Sequence, residues 1–186
     1  MTPAGDELRF DWRRGGAAAG ALIAALVLLI MVWLVAGSNQ ARDDALQAER
    51  HAYDVALVAR SVDSSLSRAE AALGRFVLDE QVETSGNIYY SNWRLAGYQI
   101  QQLERLVRRN PDQLRRVREL QDIYRQRGDE LALAARAASS QQGQGGTAYY
   151  YQAGKSETGS ILTRKLDEIA ASERQALKQR IAQTQI

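Results

Sequence analysis

The chain has 186 residues, enough for one well-cored domain with an accessory segment, and a formal net charge of only +2 from 24 basic and 22 acidic side chains. With both signs interspersed along the chain, that balance argues against nucleic acid as a partner. The absence of cysteine removes disulfide frameworks, thiolate zinc sites and cysteine nucleophiles.

Residues 1–14 form a short N-terminal segment carrying Arg9, Arg13 and Arg14. The uncharged run that follows, GGAAAGALIAALVLLIMVWLVAG from Gly15 to Gly37, matches the roughly 20 apolar residues that span a bilayer as a helix. Trp33 falls toward its far end, where an indole sits well at headgroup level. A buried helix of a soluble domain would show a polar face, and this run has none. A cleaved signal peptide competes, with Val35 and Gly37 as small residues before a cut. Signal h-regions are shorter, about 7–15 residues, so the run reads as an uncleaved transmembrane helix. Asp43 and Asp44 follow it, with Arg42 the nearby basic residue. The positive-inside rule therefore places the N-terminus in the cytoplasm and residues 38–186 outside it. In a Gram-negative cell that is a single-pass inner-membrane protein with a periplasmic portion.

That portion reads as all-α. From Gln40 to about Asp79, Val55, Val62, Ala69 and Phe76 recur every seven residues, and Val58, Leu66 and Leu73 fill in between. The apolar stripe makes one long helix, continuous with the membrane span. DEQVETSGN (79–87) has turn composition and ends the helix. A second stripe has Trp93, Ala96, Ile100, Leu103 and Val107 three and four apart, the spacing of a bundle seam. It stops at RRNPDQ, where Asn110 suits an N-cap, Pro111 the first helical position and Gln113 the closing of a capping box. A tight reversal into a third helix follows, with Leu114, Val117, Leu120, Tyr124, Leu131 and Ala135 on one side. SSQQGQGG (139–146) reads as a loop. A fourth helix from about Thr147 carries Leu162, Leu166, Ile169, Leu177 and Ile181. The expected fold is an up-down-up-down four-helix bundle. Its short second and third helices form a hairpin over the distal half of the longer pair. The remaining stalk of two helices favours a homodimer.

Chemistry is sparse. His51 is the single histidine and reads as a solvated helix-face residue, so no Ser-His-Asp set and no metal-ligand spacing can be assembled. Gly143, Gly145 and Gly146 are no phosphate loop, because no strand precedes them and no Gly-Lys-Ser follows. No catalytic residue, cofactor or metal is expected. Two constellations remain as candidate contacts for a ligand or partner. One is aromatic: Tyr89, Tyr90 and Trp93 in IYYSNW, with Tyr149 and Tyr150 in AYYYQ. The other is basic: Arg108, Arg109, Arg115 and Arg116 around the reversal, where guanidinium forks suit carboxylates and phosphates. The competing readings are a closed bundle cap for the aromatics and a solvated, salt-bridged turn for the arginines.

Three segments carry a family resemblance: AEAALGRFVLDEQ (69–81), LVRRNPDQLRRVRELQDIYRQRGDEL (106–131) and LDEIAASERQALKQR (166–180). In order and length they resemble the CHASE-type extracellular sensory domain of the third, four-helix class. One departure is Gly74-Arg75-Phe76, where that family usually sets a glycine directly before the aromatic. The resemblance implies an input module of a histidine kinase, diguanylate cyclase or chemoreceptor, responding to a small-molecule or protein ligand. Ile186 is reached with no second span and no output domain. The expectation is either a receptor cut before its second span or a free-standing helical adaptor that binds an envelope partner.

Overall fold

The computed structural model describes residues 12–141 and 143–184, and they are all-α, with no strand among them. The chain divides into two compact units, Met1–Leu46 and Gln47–Ile186. Helix α1 (Trp12–Asp79) contributes to both.

In the first unit, every residue from 22 to 37 is exposed, and the mean hydropathy of this stretch of α1 reaches 2.3. Among the described residues, α1 is the one helix long and apolar enough to cross a membrane. Buried apolar surface cannot explain Leu22, Ile23, Trp33 and Val35, which are all more than half exposed.

The second unit is a bundle. Its members are the last part of α1, α2 (Asn87–Val107), α3 (Pro111–Ser139), α4 (Gln144–Gly154) and α5 (Thr158–Thr184). The four-helix plan is borne out, with its fourth member built from two pieces in succession. α4 packs beside the end of α1, where Thr147 and Tyr150 donate to the carbonyls of Val77 and Glu70. α5 continues alongside the preceding stretch, where the Thr163 hydroxyl meets Asp63. The expectation of one helix from Thr147 is thus corrected. It begins at Gln144 and breaks at Lys155–Glu157, where Gly154 ends α4 and the Ser156 hydroxyl accepts from the Thr158 N–H at 3.3 Å to start α5.

All seven residues of the α1 stripe are buried, as are Ala96, Ile100, Leu103 and Val107 of α2. α1 ends with Glu80 in left-handed backbone (φ 52°), and a single π-helical turn, Val82–Gly86, carries the chain into α2. Asp79 holds this turn, accepting from the Gln81 N–H and the Ser85 hydroxyl, and those two bonds keep its carboxyl below the usual range.

The α2–α3 reversal forms as read. The Asn110 side chain accepts from the backbone N–H groups of Asp112 (3.2 Å) and Gln113 (3.3 Å), with Pro111 in the first turn. Gln113 departs from expectation. Its side chain closes no capping box but is buried, donating to Glu173 Oε1 (2.9 Å) and Ile169 O (3.5 Å) on α5. The inward stripe of α3 therefore runs Gln113, Val117, Leu120 while Leu114 is only half-buried. This polar bridge fixes the reversal against α5.

Candidate functional site: a buried arginine between two cores

Buried apolar residues fall into two clusters along the bundle. At the turn end, near the α2–α3 reversal, branched aliphatic side chains dominate, among them Val55, Val62, Ile100, Leu103, Leu120 and Leu166. At the cap end, near the α1–α2 turn, six alanines are packed with Leu73, Phe76, Val77, Tyr89 and Leu131. Arg127 of α3 lies on the stripe between Leu120 and Leu131 and is buried, with 5 % of its surface exposed. An isolated buried guanidinium is expensive, so its partners decide what it is for.

Four helices supply them. Glu70 of α1 takes a two-pronged pair, Nε to Oε1 and Nη2 to Oε2, each at 2.9 Å. On α3 itself Glu130 accepts from Nη1 at 3.2 Å, and the Ala153 carbonyl of α4 accepts from the same nitrogen at 2.7 Å. Thr158, at the start of α5, accepts from Nη1 at 3.4 Å and donates to Glu130 at 2.5 Å, while Ser156 donates to the other Glu130 oxygen at 3.0 Å. Burial alone would raise Glu130, but the Thr158 and Ser156 hydroxyls and the Arg127 charge outweigh it and hold the carboxyl below its ordinary value. Burial alone would lower Arg127, and the two carboxylates reverse that, so the cation is secured. The helix break at Lys155–Glu157 is what brings the Ala153 carbonyl and the α5 start to one point.

A cavity of about 420 Å³ opens on this network between α1 and α5, with Asp63, Ser67, Ser160 and Thr163 around Glu70 and Arg127. One Nη2 hydrogen of Arg127 takes no acceptor among the described residues. Carboxylates, hydroxyls and a guanidinium edge suit a small polar molecule. Among the described residues the Thr163 hydroxyl there meets only a carboxylate, Asp63, and His51 lies elsewhere on α1. No group of metal-ligating side chains occurs among the described residues.

The residues singled out by sequence are dispersed over the bundle. Tyr89 is buried in the cap cluster, and burial pushes its phenol well above the ordinary value. Tyr150 packs on the same cluster, its ring set against Gly74, where a Cβ would approach the phenol oxygen to 2.9 Å. Trp93 stacks on Tyr124 at 4.6 Å, Tyr90 meets Phe76 edge-on at 6.4 Å and Tyr149 is exposed. Arg108, Arg109 and Arg115 are exposed at the turn end and Arg116 is half-buried; Arg115 pairs with Asp112 at 3.0 Å in the solvated arrangement. The Arg127 network was missed by sequence reading. Its signal was available, since Arg127 falls three after Tyr124 and four before Leu131, on the inward register.

A family model of the CHASE3 domain matches residues 45–183. The chain belongs to the CHASE3 domain family. The matched range covers the whole bundle, including both clusters and Arg127. CHASE3 is an extracellular sensory domain of signalling receptors and is not catalytic. No curated protein and no solved structure matches the chain.

Proposed function

We propose that this CHASE3 domain is the extracytoplasmic input of a membrane-bound receptor, a histidine kinase, diguanylate cyclase or chemoreceptor, with the N-terminus in the cytoplasm and the bundle in the periplasm. The observation that carries the reading is the pairing of a CHASE3 bundle with an apolar, fully exposed helix directly ahead of it. Signal passes as a small displacement of α1 against α5. Packed helices switch between discrete arrangements through shifts of about 1–2 Å, and a ligand biases them when it binds one better. The Arg127 network is the joint, because it ties α1, α3, α4 and the start of α5 together. Exposed Leu46, Leu57 and Ile181 on α1 and α5 support a homodimer through those two helices, weak in the absence of the membrane anchor.

Two measurements test this. A reporter active only outside the cytoplasm, fused after Ile186, works if the orientation is right, and a working cytoplasmic reporter overturns it. Cysteines at Asp63 and Thr163, whose side chains meet at 3.3 Å, report the α1–α5 register in the full receptor. Arg127→Lys should change both crosslinking rate and output. A changed output with unchanged crosslinking removes transfer through this helix pair.

A further inference from the structure

The outer face of the α2–α3 hairpin carries a second stripe that the bundle does not use. On α2 and its C-cap, Tyr90, Arg94, Tyr98, Gln101, Arg105 and Arg108 follow one another at steps of three or four residues. They lie on a different face from the core stripe of Trp93, Ala96, Ile100, Leu103 and Val107, and five of the six are large aromatic or arginine side chains. No acidic residue interrupts them. Arg94, Arg105 and Arg108 are exposed, and no carboxylate stands within ion-pair distance of them among the described residues. On α3, Arg115 is answered by Asp112 and Arg125 by Asp122, whereas Arg118 and Arg136 also lack a carboxylate partner among the described residues; Arg94, Arg105 and Arg108 differ in sharing one line with two tyrosines.

This stripe borders a groove with a built floor. Trp93 and Tyr124 stack at 4.6 Å with their planes 10° apart, and the Tyr124 hydroxyl donates to the Trp93 carbonyl at 2.6 Å. Burial pushes the Tyr124 phenol up to about 12, so the floor is neutral. Gly97 opens the notch above it, where a Cβ would lie 2.9 Å from the Tyr124 oxygen. Two hollows of about 390 and 490 Å³ meet at Gly97, Gln101 and Tyr124 and together run from Tyr90 to Arg108. At 1.5 Å per residue this is roughly 27 Å of helix. One carboxylate, Glu104, lines it, and it already accepts from Gln121.

We infer that this groove is a docking surface for an acidic amphipathic helix of a partner protein. The rim of tyrosine and arginine over a stacked indole is the composition of interface hot spots. A trough between two antiparallel helices, with contact residues three and four apart, is the shape into which a third helix packs. Charge selects the occupant. Three unanswered arginines on one line call for glutamate or aspartate at matching heptad positions. A second copy of this chain, docked face to face, would set arginine against arginine, so the symmetric contact is disfavoured. The surface is shallow and long, whereas a small molecule needs an enclosing pocket.

The test uses the full chain in lipid nanodiscs and a labelled synthetic helix of about three heptads, with glutamates spaced to face the arginines and leucines for the floor. Its scrambled version and its lysine-for-glutamate version are the controls. Fluorescence anisotropy should show the acidic helix binding at least about tenfold more tightly than either control. Arg105→Glu with Arg108→Glu should weaken it by at least about tenfold and turn the preference toward the lysine version. Tyr98→Ala, at a side chain 60 % exposed and therefore harmless to folding, should weaken it too. Equal binding of all three peptides, no binding, or indifference to the double variant overturns the proposal. So does self-association in sedimentation that the double variant abolishes, which would make a second copy the occupant. No receptor output enters the readout, so failure here leaves the sensory reading standing.

Discussion

The two ends of the bundle are packed by different means. The turn-end cluster fills its volume with valine, leucine and isoleucine, side chains that interlock across four helices. The cap-end cluster instead brings backbones close through Ala69, Ala72, Ala134, Ala135, Ala138 and Ala153, then closes the remaining space with Phe76, Tyr89 and Tyr150. The difference teaches where rigidity and adjustability lie. Interdigitated branched chains resist sliding, whereas an alanine surface has low ridges and holds position mainly through the few large rings set into it. A buried ion network at the boundary lets each end keep its own packing style while remaining tied to the other.

The largest way to break this comparison is Arg127→Ala. It leaves Glu70 and Glu130 facing one another without their cation and should cost about 3–5 kcal/mol, measured by chemical denaturation. A loss under about 1 kcal/mol would mean that the network is peripheral to stability. Next come paired truncations. Phe76→Ala at the cap should cost about 3–5 kcal/mol and Leu103→Ala at the turn end about 2–5 kcal/mol. Amide hydrogen exchange sharpens the contrast: each variant should loosen its own end first, and even loosening throughout would reduce the two clusters to one core. Smaller still is Asn110→Ala, which removes the cap of α3 and should cost about 1 kcal/mol at the turn end alone.

The smallest effect is acidic. Glu130 sits below its ordinary value of 4.5 in the folded chain. Its contribution is therefore complete above pH 4.5 and is lost as pH falls through the depressed folded value. Glu130→Gln should flatten that part of the acid-unfolding profile, and an unaltered profile would assign the sensitivity to other carboxylates.

Much of this fold was readable in the sequence. Heptad spacing on α1 and α2 located the buried faces, and Asn110-Pro111 located the reversal, because both signals are local. The break between α4 and α5 was not. Gly154 and Gly159 bracket it, but Ile161, Leu162 and Leu166 continue a helical pattern, so periodicity alone spans the gap. The candidate site was less legible. Tyr89 and Trp93 were found as aromatics in a run, yet their roles depend on Phe76, Tyr124 and Gly97, which are remote or unobtrusive in sequence. Arg127 was passed over, and Gln113 was assigned to a capping box, because polar residues on an inward register look like interruptions of a core. Their partners, Glu70 and Glu173, lie 57 and 60 positions away, and no local rule joins them.

Ala153 gives the Arg127 network a particular evolutionary character. Its acceptor is a main-chain carbonyl, which no substitution can delete, whereas the Glu70 carboxylate is lost in a single codon change. Position 153 is accordingly free to drift in identity and constrained only in bulk, by the packed cap around it. Positions 70 and 127 must change together or not at all. Within CHASE3 descendants of this chain the pair should be inherited as a unit, while the third member of the contact leaves no trace in the residue alphabet.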